Sequence, residues 1–208
     1  KVFIEEINEY IDDVVIPNNK DYSNKLVGQL SADKSAQLDF PLKGYETGEQ
    51  FKKVLENIGK SFIQKPYNRM SSVECFECWT VHSYEGDYNP LHDHGVQTQS
   101  GLSCILYLKV PDSIKNKPKI EVPNLNHASG EIDGWTQFQW GANTMKDIYQ
   151  LREQTQHVVR PVEGKLLMFP CWLSHMVWPF KGEGERRTLS ANFNIHDSPE
   201  VTKQFTER

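Results

Sequence analysis

The hydrophobic repeat of this chain changes period near Ser72, and that change limits the folds open to it. Before it, Phe3, Ile7, Tyr10, Ile11 and Val14 recur at the three-to-four spacing of one helix face, with Glu5, Glu6, Asp12 and Asp13 opposite. A second helix is expected from about Thr47, where Thr47 and Gln50 have capping-box spacing. Its stripe is Phe51, Val54, Leu55 and Ile58, and Gly59 is the expected stop. Between the two, Ser31 to Lys43 reads as a polar loop. From Ser72 the period is two. Val73, Cys75, Glu77, Trp79, Val81 and Ser83 alternate with Ser72, Glu74, Phe76, Cys78 and Thr80, as in a strand apolar on much of both faces. Further strand-like runs follow at Leu102 to Val110, Lys119 to Val122, Thr136 to Trp140, His157 to Val162, Lys165 to Phe169, Met176 to Phe180 and Thr188 to Ile195. Many short strands with turn signals, and no internal repeat, point to a sandwich or barrel. The expected fold is mainly β (α+β), a jelly roll with N-terminal helices packed on its outer face. One structural domain is expected: a helical support region over 1–71, a jelly-roll core over 72–196 and a tail over 197–208. Asn124 to Gly134 reads as a long loop.

Composition excludes several classes. Hydrophobic residues at 38% and charged residues at 25% rule out a disordered or collagen-like chain. No apolar run approaches the roughly 20 residues of a membrane-spanning helix. A net charge of −5 has the wrong sign for a general nucleic-acid binder, so nucleic acid is not the expected partner. Four cysteines do not make a disulfide scaffold and suit a reducing compartment. No signal peptide opens the chain, and Lys1 reads as a trimmed start, so a cytoplasmic location is expected.

Seven histidines are present, and three stand out. In Asn89-Pro90-Leu91-His92-Asp93-His94, an extended backbone puts His92 and His94 on one side and Asp93 on the other. Two imidazoles one strand step apart can share a metal ion. His175 follows a turn, an apolar strand and a short corner, the position of a ligand returned to a barrel mouth. Arg186 heads a strand in which Arg186, Thr188, Ser190, Asn192 and Asn194 share one face, while Leu189, Ala191, Phe193 and Ile195 form the core face. A polar stripe headed by arginine on a buried strand is costly unless something anionic or polar fills the interior. Cys75 and Cys78 have zinc half-site spacing, but no second pair completes it, and an extended segment would aim them to opposite faces. His82, His127, His157 and His196 have no partner pattern.

These pieces resemble the iron- and 2-oxoglutarate-dependent oxygenases, closest to a branch common in phages and bacteria and marked by Asn-Pro-x-His-x-His. The resemblance rests on Asn89 to His94, Leu102 to Leu108, Gly164 to Pro170 with His175, and Gly184 to Asn192. Leu26-Val27-Gly28-Gln29 is the best echo in the N-terminal third. It implies a double-stranded β-helix, with Fe(II), 2-oxoglutarate and O2 as cofactors and ascorbate allowed for. It implies iron binding by His92 and His175, and a carboxylate anchor at Arg186 assisted by Tyr107 and Ser103; Thr188 and Ser190 share the anchoring face. Arg187 competes for the anchoring role but shares strand parity with the core residues Leu189 and Phe193. Where most such enzymes have a carboxylate ligand, this chain has His94, so the third ligand is His94 or a water. The implied reaction is decarboxylation of 2-oxoglutarate to succinate coupled to hydroxylation of an unknown substrate, protein or small molecule. Two alternatives stand beside it. Gly86 and the His92-x-His94 pair also open a cupin-type metal motif, although Gln99 lies where that motif has Glu, and a non-catalytic metal-binding module would keep the same residues.

Overall fold

The computed structural model describes residues 2–23, 36–116, 131–141 and 154–206. The echo at 26–29, the strand expected at 119–122, His127 and most of the loop expected over 124–134 lie outside the described residues. The chain opens with α1 (Val2–Tyr10), which widens into a π-helical turn (Ile11–Val15) and ends in α2 (Ile16–Asn18). Ile7, Tyr10, Ile11 and Val15 form its buried stripe, as the sequence spacing requires. The stretch read as a polar loop contributes a short strand, β1 (Gln37–Asp39), whose Leu38 is buried. Helix α3 (Glu46–Tyr67) follows.

Two expectations about α3 are corrected. The Thr47–Gln50 capping box does not form; the helix is preceded by extended Tyr45, and Glu49 turns back to accept the Gly44 N–H at 3.1 Å. Gly59 does not end it either. The helix continues to Tyr67 and closes at Asn68 in the left-handed region, φ 48°. Gly59 instead packs against the sheet: a Cβ there would stand 3.0 Å from Val73 Cγ1 and 3.6 Å from Leu102 Cδ1. The absent side chain serves packing, not termination.

The rest is a jelly roll of two antiparallel sheets. The strands are β2 (Ser72–Ser83), β3 (Asn89–His92), β4 (Gly101–Lys109), β5 (Thr136–Gln139), β6 (Gln156–Val159), β7 (Leu166–Pro170), β8 (Ser174–Val177) and β9 (Arg186–His196). One sheet has the order β1-β2-β9-β4-β7 and the other β3-β8-β5-β6. A short helix, α4 (Asp112–Lys115), follows β4, and α5 (Pro199–Thr206) ends the described chain within the expected tail. The strand expected over Met176 to Phe180 is shifted toward the N-terminus, so that His175 lies within β8.

Side-chain alternation divides the interior in two. Leu102, Cys104, Leu106 and Leu108 of β4, with Leu189, Ala191, Phe193 and Ile195 of β9, pack under Ile7, Ile11, Phe51, Leu55 and Ile63 of the helices. Burying each large apolar side chain contributes about 1.5–3 kcal/mol. The other face of β4 offers Ile105 and Tyr107 to a second core with Phe138, Phe169 and Phe180 between the sheets. Cys75 and Cys78 depart from the expected opposition. A β-bulge between Cys75 and Glu77 inserts a residue, and both thiols join the core beneath the helices. Burial raises both thiols well above the ordinary thiol value, helped for Cys75 by the neighbouring Cys104, which suits inert packing residues.

Candidate active site

Strand pairing brings the three histidines together. His92 ends β3 and stands opposite His175 of β8, which in turn stands opposite Phe138 of β5. Directly opposed residues share a face, so this row lines the interior. His94 lies just beyond β3; its backbone N–H donates to Cys171 O at 3.0 Å, in the corner between β7 and β8. Although the strand stops at His92, the rings converge, with centroids 5.2 Å apart for His92 and His94, 4.3 Å for His92 and His175, and 5.0 Å for His94 and His175. One ligand nitrogen from each lies within 4.8 Å of the others. Asp93 is exposed and is not part of this ligand cluster.

The ring tautomers suit a cation. His92 Nδ1 lies 2.7 Å from Pro90 O and His175 Nδ1 lies 3.3 Å from Leu173 O. A carbonyl only accepts, so each Nδ1 carries the proton and each Nε2 presents a lone pair to the cluster. Burial drives protons off the rings, lowering His92, and bringing His94 to about 4 and His175 to about 3 with help from their imidazole neighbours. His94 Nε2 and His175 Nε2 face each other at 3.4 Å. Three neutral imidazoles aimed at one point are a donor set suited to a divalent transition metal such as Fe(II).

The same cavity, about 420 Å³, ends at Arg186. Arg186 is 1% exposed, and burial lowers its pKa. Its Nε donates to Gly134 O at 2.9 Å, its Nη2 reaches Thr136 Oγ1 at 3.4 Å, and its guanidinium lies 5.3 Å from the Tyr107 ring centre. The Tyr107 hydroxyl shares a 2.6 Å hydrogen bond with Thr136 Oγ1. Among the described residues no carboxylate pairs with this buried cation, which leaves it in need of an anion. Arg187 faces the other way. It binds Asp12 at 2.6 Å, Glu185 at 2.8 Å and Asn8 at 3.1 Å, tying the N-terminal helix to β9.

Thr188, Ser190 and Asn192 line the cavity beyond Arg186, as their parity requires. Asn194 does not join them; it exchanges hydrogen bonds with Gln97 and pins the loop that follows His94. Ser103 also stands back. Its hydroxyl donates to Asn192 Oδ1 at 2.8 Å, and Asn192 Nδ2 donates to Glu77 Oε1 at 2.6 Å. The cavity is also lined by residues that the sequence did not mark as ligands or anchors, among them Tyr22, Glu77, Trp79 and Asn89. Asn89 stands opposite Val177, which stands opposite Thr136, so it shares the row that touches Arg186. Among the described residues its Oδ1 is buried without a hydrogen-bond partner, which leaves it open to a ligand. Trp135 and Trp140 do not line this cavity. His82 is buried against Glu185 at 2.6 Å, and His196 pairs with Glu74 at 3.1 Å; both are structural.

A jelly roll with a three-imidazole cluster at one end of a cavity and a buried, anion-seeking guanidinium at the other defines a class of metal-dependent enzyme. Residues 77–192 match the sequence family described as "Putative 2OG-Fe(II) oxygenase". The chain belongs to this family of iron- and 2-oxoglutarate-dependent oxygenases, and its cofactors are Fe(II) and 2-oxoglutarate. That membership favours the oxygenase over the cupin alternative. No curated protein sequence matches the chain.

Solved structures agree on the fold. The viral collagen prolyl hydroxylase of Paramecium Bursaria Chlorella virus-1, in its 2-oxoglutarate complex, is 16% identical, with 92% of this chain and 89% of that one covered at a TM-score of 0.51. A Trichoplax adhaerens prolyl hydroxylase, bound to a peptide of hypoxia inducible factor, is 15% identical over 97% and 81% of the two chains, TM-score 0.52. HygX from Streptomyces hygroscopicus, with nickel and 2-oxoglutarate bound, is 10% identical over 96% and 78%, TM-score 0.56.

Proposed function

We propose that the protein couples oxidative decarboxylation of 2-oxoglutarate to hydroxylation of a C–H bond in a peptide or small-molecule substrate. His92, His94 and His175 would hold the iron, and Arg186, Tyr107, Thr188 and Ser190 would receive the distal carboxylate of the keto-acid. The observation that carries this reading is the pairing, within one cavity, of neutral imidazoles with a buried arginine to which no described carboxylate is paired. Bound iron supplies the redox chemistry of O2 and keto-acid cleavage.

The protein's own residues perform the remaining tasks. Arg186 fixes the length and direction of the cosubstrate, and because Gly134 O and Thr136 hold it from behind, it needs little reorganisation when an anion arrives. Thr188 and Ser190 offer hydroxyl donors on the same strand face. Ser103 acts at one remove, by orienting Asn192. Ile105, Val177 and Phe138 keep the space between the two ends apolar and limit water. A third imidazole in place of a carboxylate leaves the ion's full double charge, which strengthens its attraction for dianionic 2-oxoglutarate.

Anaerobic addition of Fe(II) and 2-oxoglutarate should give a visible charge-transfer band, and aerobic incubation should release succinate. Both should be lost in Arg186→Ala. A wild-type protein that gives neither signal would overturn this reading.

A further inference from the structure

Three aromatic rings run in series away from the histidine cluster. His94 stacks on Trp79 with centroids 5.7 Å apart and planes 26° apart, and Trp79 stacks on Tyr22 at 5.3 Å and 17°. Trp79 is 7% exposed, whereas Tyr22 is half-buried and lies toward solvent. The Tyr22 hydroxyl donates to a carboxylate oxygen of Glu77. Holding the cosubstrate uses none of Tyr22, Trp79 or Glu77. Indole and phenol are among the most easily oxidised side chains, and a phenol that donates to a carboxylate has a place to leave its proton as it gives up an electron.

We infer that Tyr22 and Trp79 form a one-electron relay that reduces the oxidant generated at the metal site when no substrate C–H is in place. The inference rests on the oxygenase reading above, because O2 and 2-oxoglutarate supply the oxidant. One electron leaves Tyr22 and passes through Trp79 and the His94 ring to the metal site, where the oxidant takes it up with a proton from solvent; the second electron needed to spend the oxidant comes from the same soluble reductant that restores Tyr22. The phenolic proton moves to Glu77. The products are a neutral phenoxyl radical at Tyr22 and a protonated Glu77. A soluble one-electron reductant such as ascorbate then restores the phenol, with the proton returning from Glu77. The relay spares the imidazole ligands and Trp79, which stacks on one of them.

Two measurements test it. The first uses the metal-free protein: azide radicals from pulse radiolysis oxidise its indoles, and absorbance follows the hole. A concentration-independent phase is expected in which indolyl absorption decays as phenoxyl absorption grows. That phase should vanish in Tyr22→Phe and in Trp79→Phe, and slow several-fold in Glu77→Gln. Its persistence unchanged in Tyr22→Phe would overturn the relay.

The second exposes the Fe(II)- and 2-oxoglutarate-loaded protein to O2 without substrate. Rapid-freeze EPR should show a tyrosyl signal that Tyr22→Phe removes, and mass spectrometry should find several-fold more oxygen added to the Trp79 peptide in that variant. Succinate release with no radical and no difference in the Trp79 peptide would also overturn it. Absence of succinate would sink the oxygenase reading, and the relay as a protective device with it, while the radiolysis result would still decide whether Trp79 and Tyr22 conduct.

Discussion

Arg186 and Arg187 are adjacent in sequence and have separate tasks, so substituting each should separate binding from stability. Arg186→Ala removes charge-assisted hydrogen bonds worth about 1.5–3 kcal/mol, and 2-oxoglutarate affinity should fall about 10–100-fold by calorimetry on the nickel-loaded protein. Arg187→Ala leaves Lys109 as the remaining cation near both Glu185 and Asp12, and should lower urea stability by about 1–3 kcal/mol with little change in that affinity. The opposite result would make Arg187 the anchor. His94→Ala should weaken Fe(II) binding in a chelator competition, whereas His94→Asp, which restores an oxygen ligand, should retain it; equal affinity in wild type and His94→Ala would leave water as the third ligand. Strand parity alone separates the two arginines, because β9 alternates without interruption from Arg186 to His196. Parity fails for Glu77 and Asn89. A bulge or register shift lies beside each, and counting faces in twos cannot pass through one.

Among the elements, α3 depends on close backbone approach. A Cβ at Gly48 would lie 2.0 Å from the Pro41 carbonyl oxygen. Gly48→Ala should therefore destabilise the fold by about 1–3 kcal/mol in urea unfolding, even though alanine gains up to about 1 kcal/mol of helix propensity. A stabilised variant would show that Pro41 yields. The long strands β2, β4 and β9 are legible from alternation because one of their faces packs under helices. β1 is three residues long in a polar stretch and carries too little period to detect. The true end of α3 was hidden for a related reason, since glycine signals both a stop and a close contact, and only the sheet beneath Gly59 distinguishes them.

At the scale of the whole molecule, buried neutral histidines make stability depend on pH. His94 and His175 titrate near 4 and 3 in the fold, against about 6.5 in an unfolded chain. Between those values the unfolded state binds more protons, so the metal-free protein should keep full stability above about pH 6.5 and lose it as pH falls toward 4. Glu185 adds a second loss at lower pH. Burial alone would raise it, but hydrogen bonds from His82 and Arg187 bring it to about 2, and that contribution disappears as pH falls from about 4.5. Urea midpoints across pH should show both windows, and the double variant His94→Asn, His175→Asn should flatten only the upper one. A flat profile between about 6.5 and 4.5 would contradict the burial of neutral rings. The rings are already deprotonated near neutrality, so Fe(II) affinity should hold below pH 6.5, lower than unperturbed imidazoles would allow.

A single ribbon, β9, carries the pocket's cation on one side and the helix clamp on the other, in consecutive positions. Sliding it by one place against β2 and β4 would exchange those guanidiniums, burying the clamp in the cavity and turning the anchor toward Asp12. Such a misfolded species would keep its strand content while having no grip on the keto-acid. Cosubstrate capture during refolding thus reports the one alignment that ordinary spectroscopy would miss.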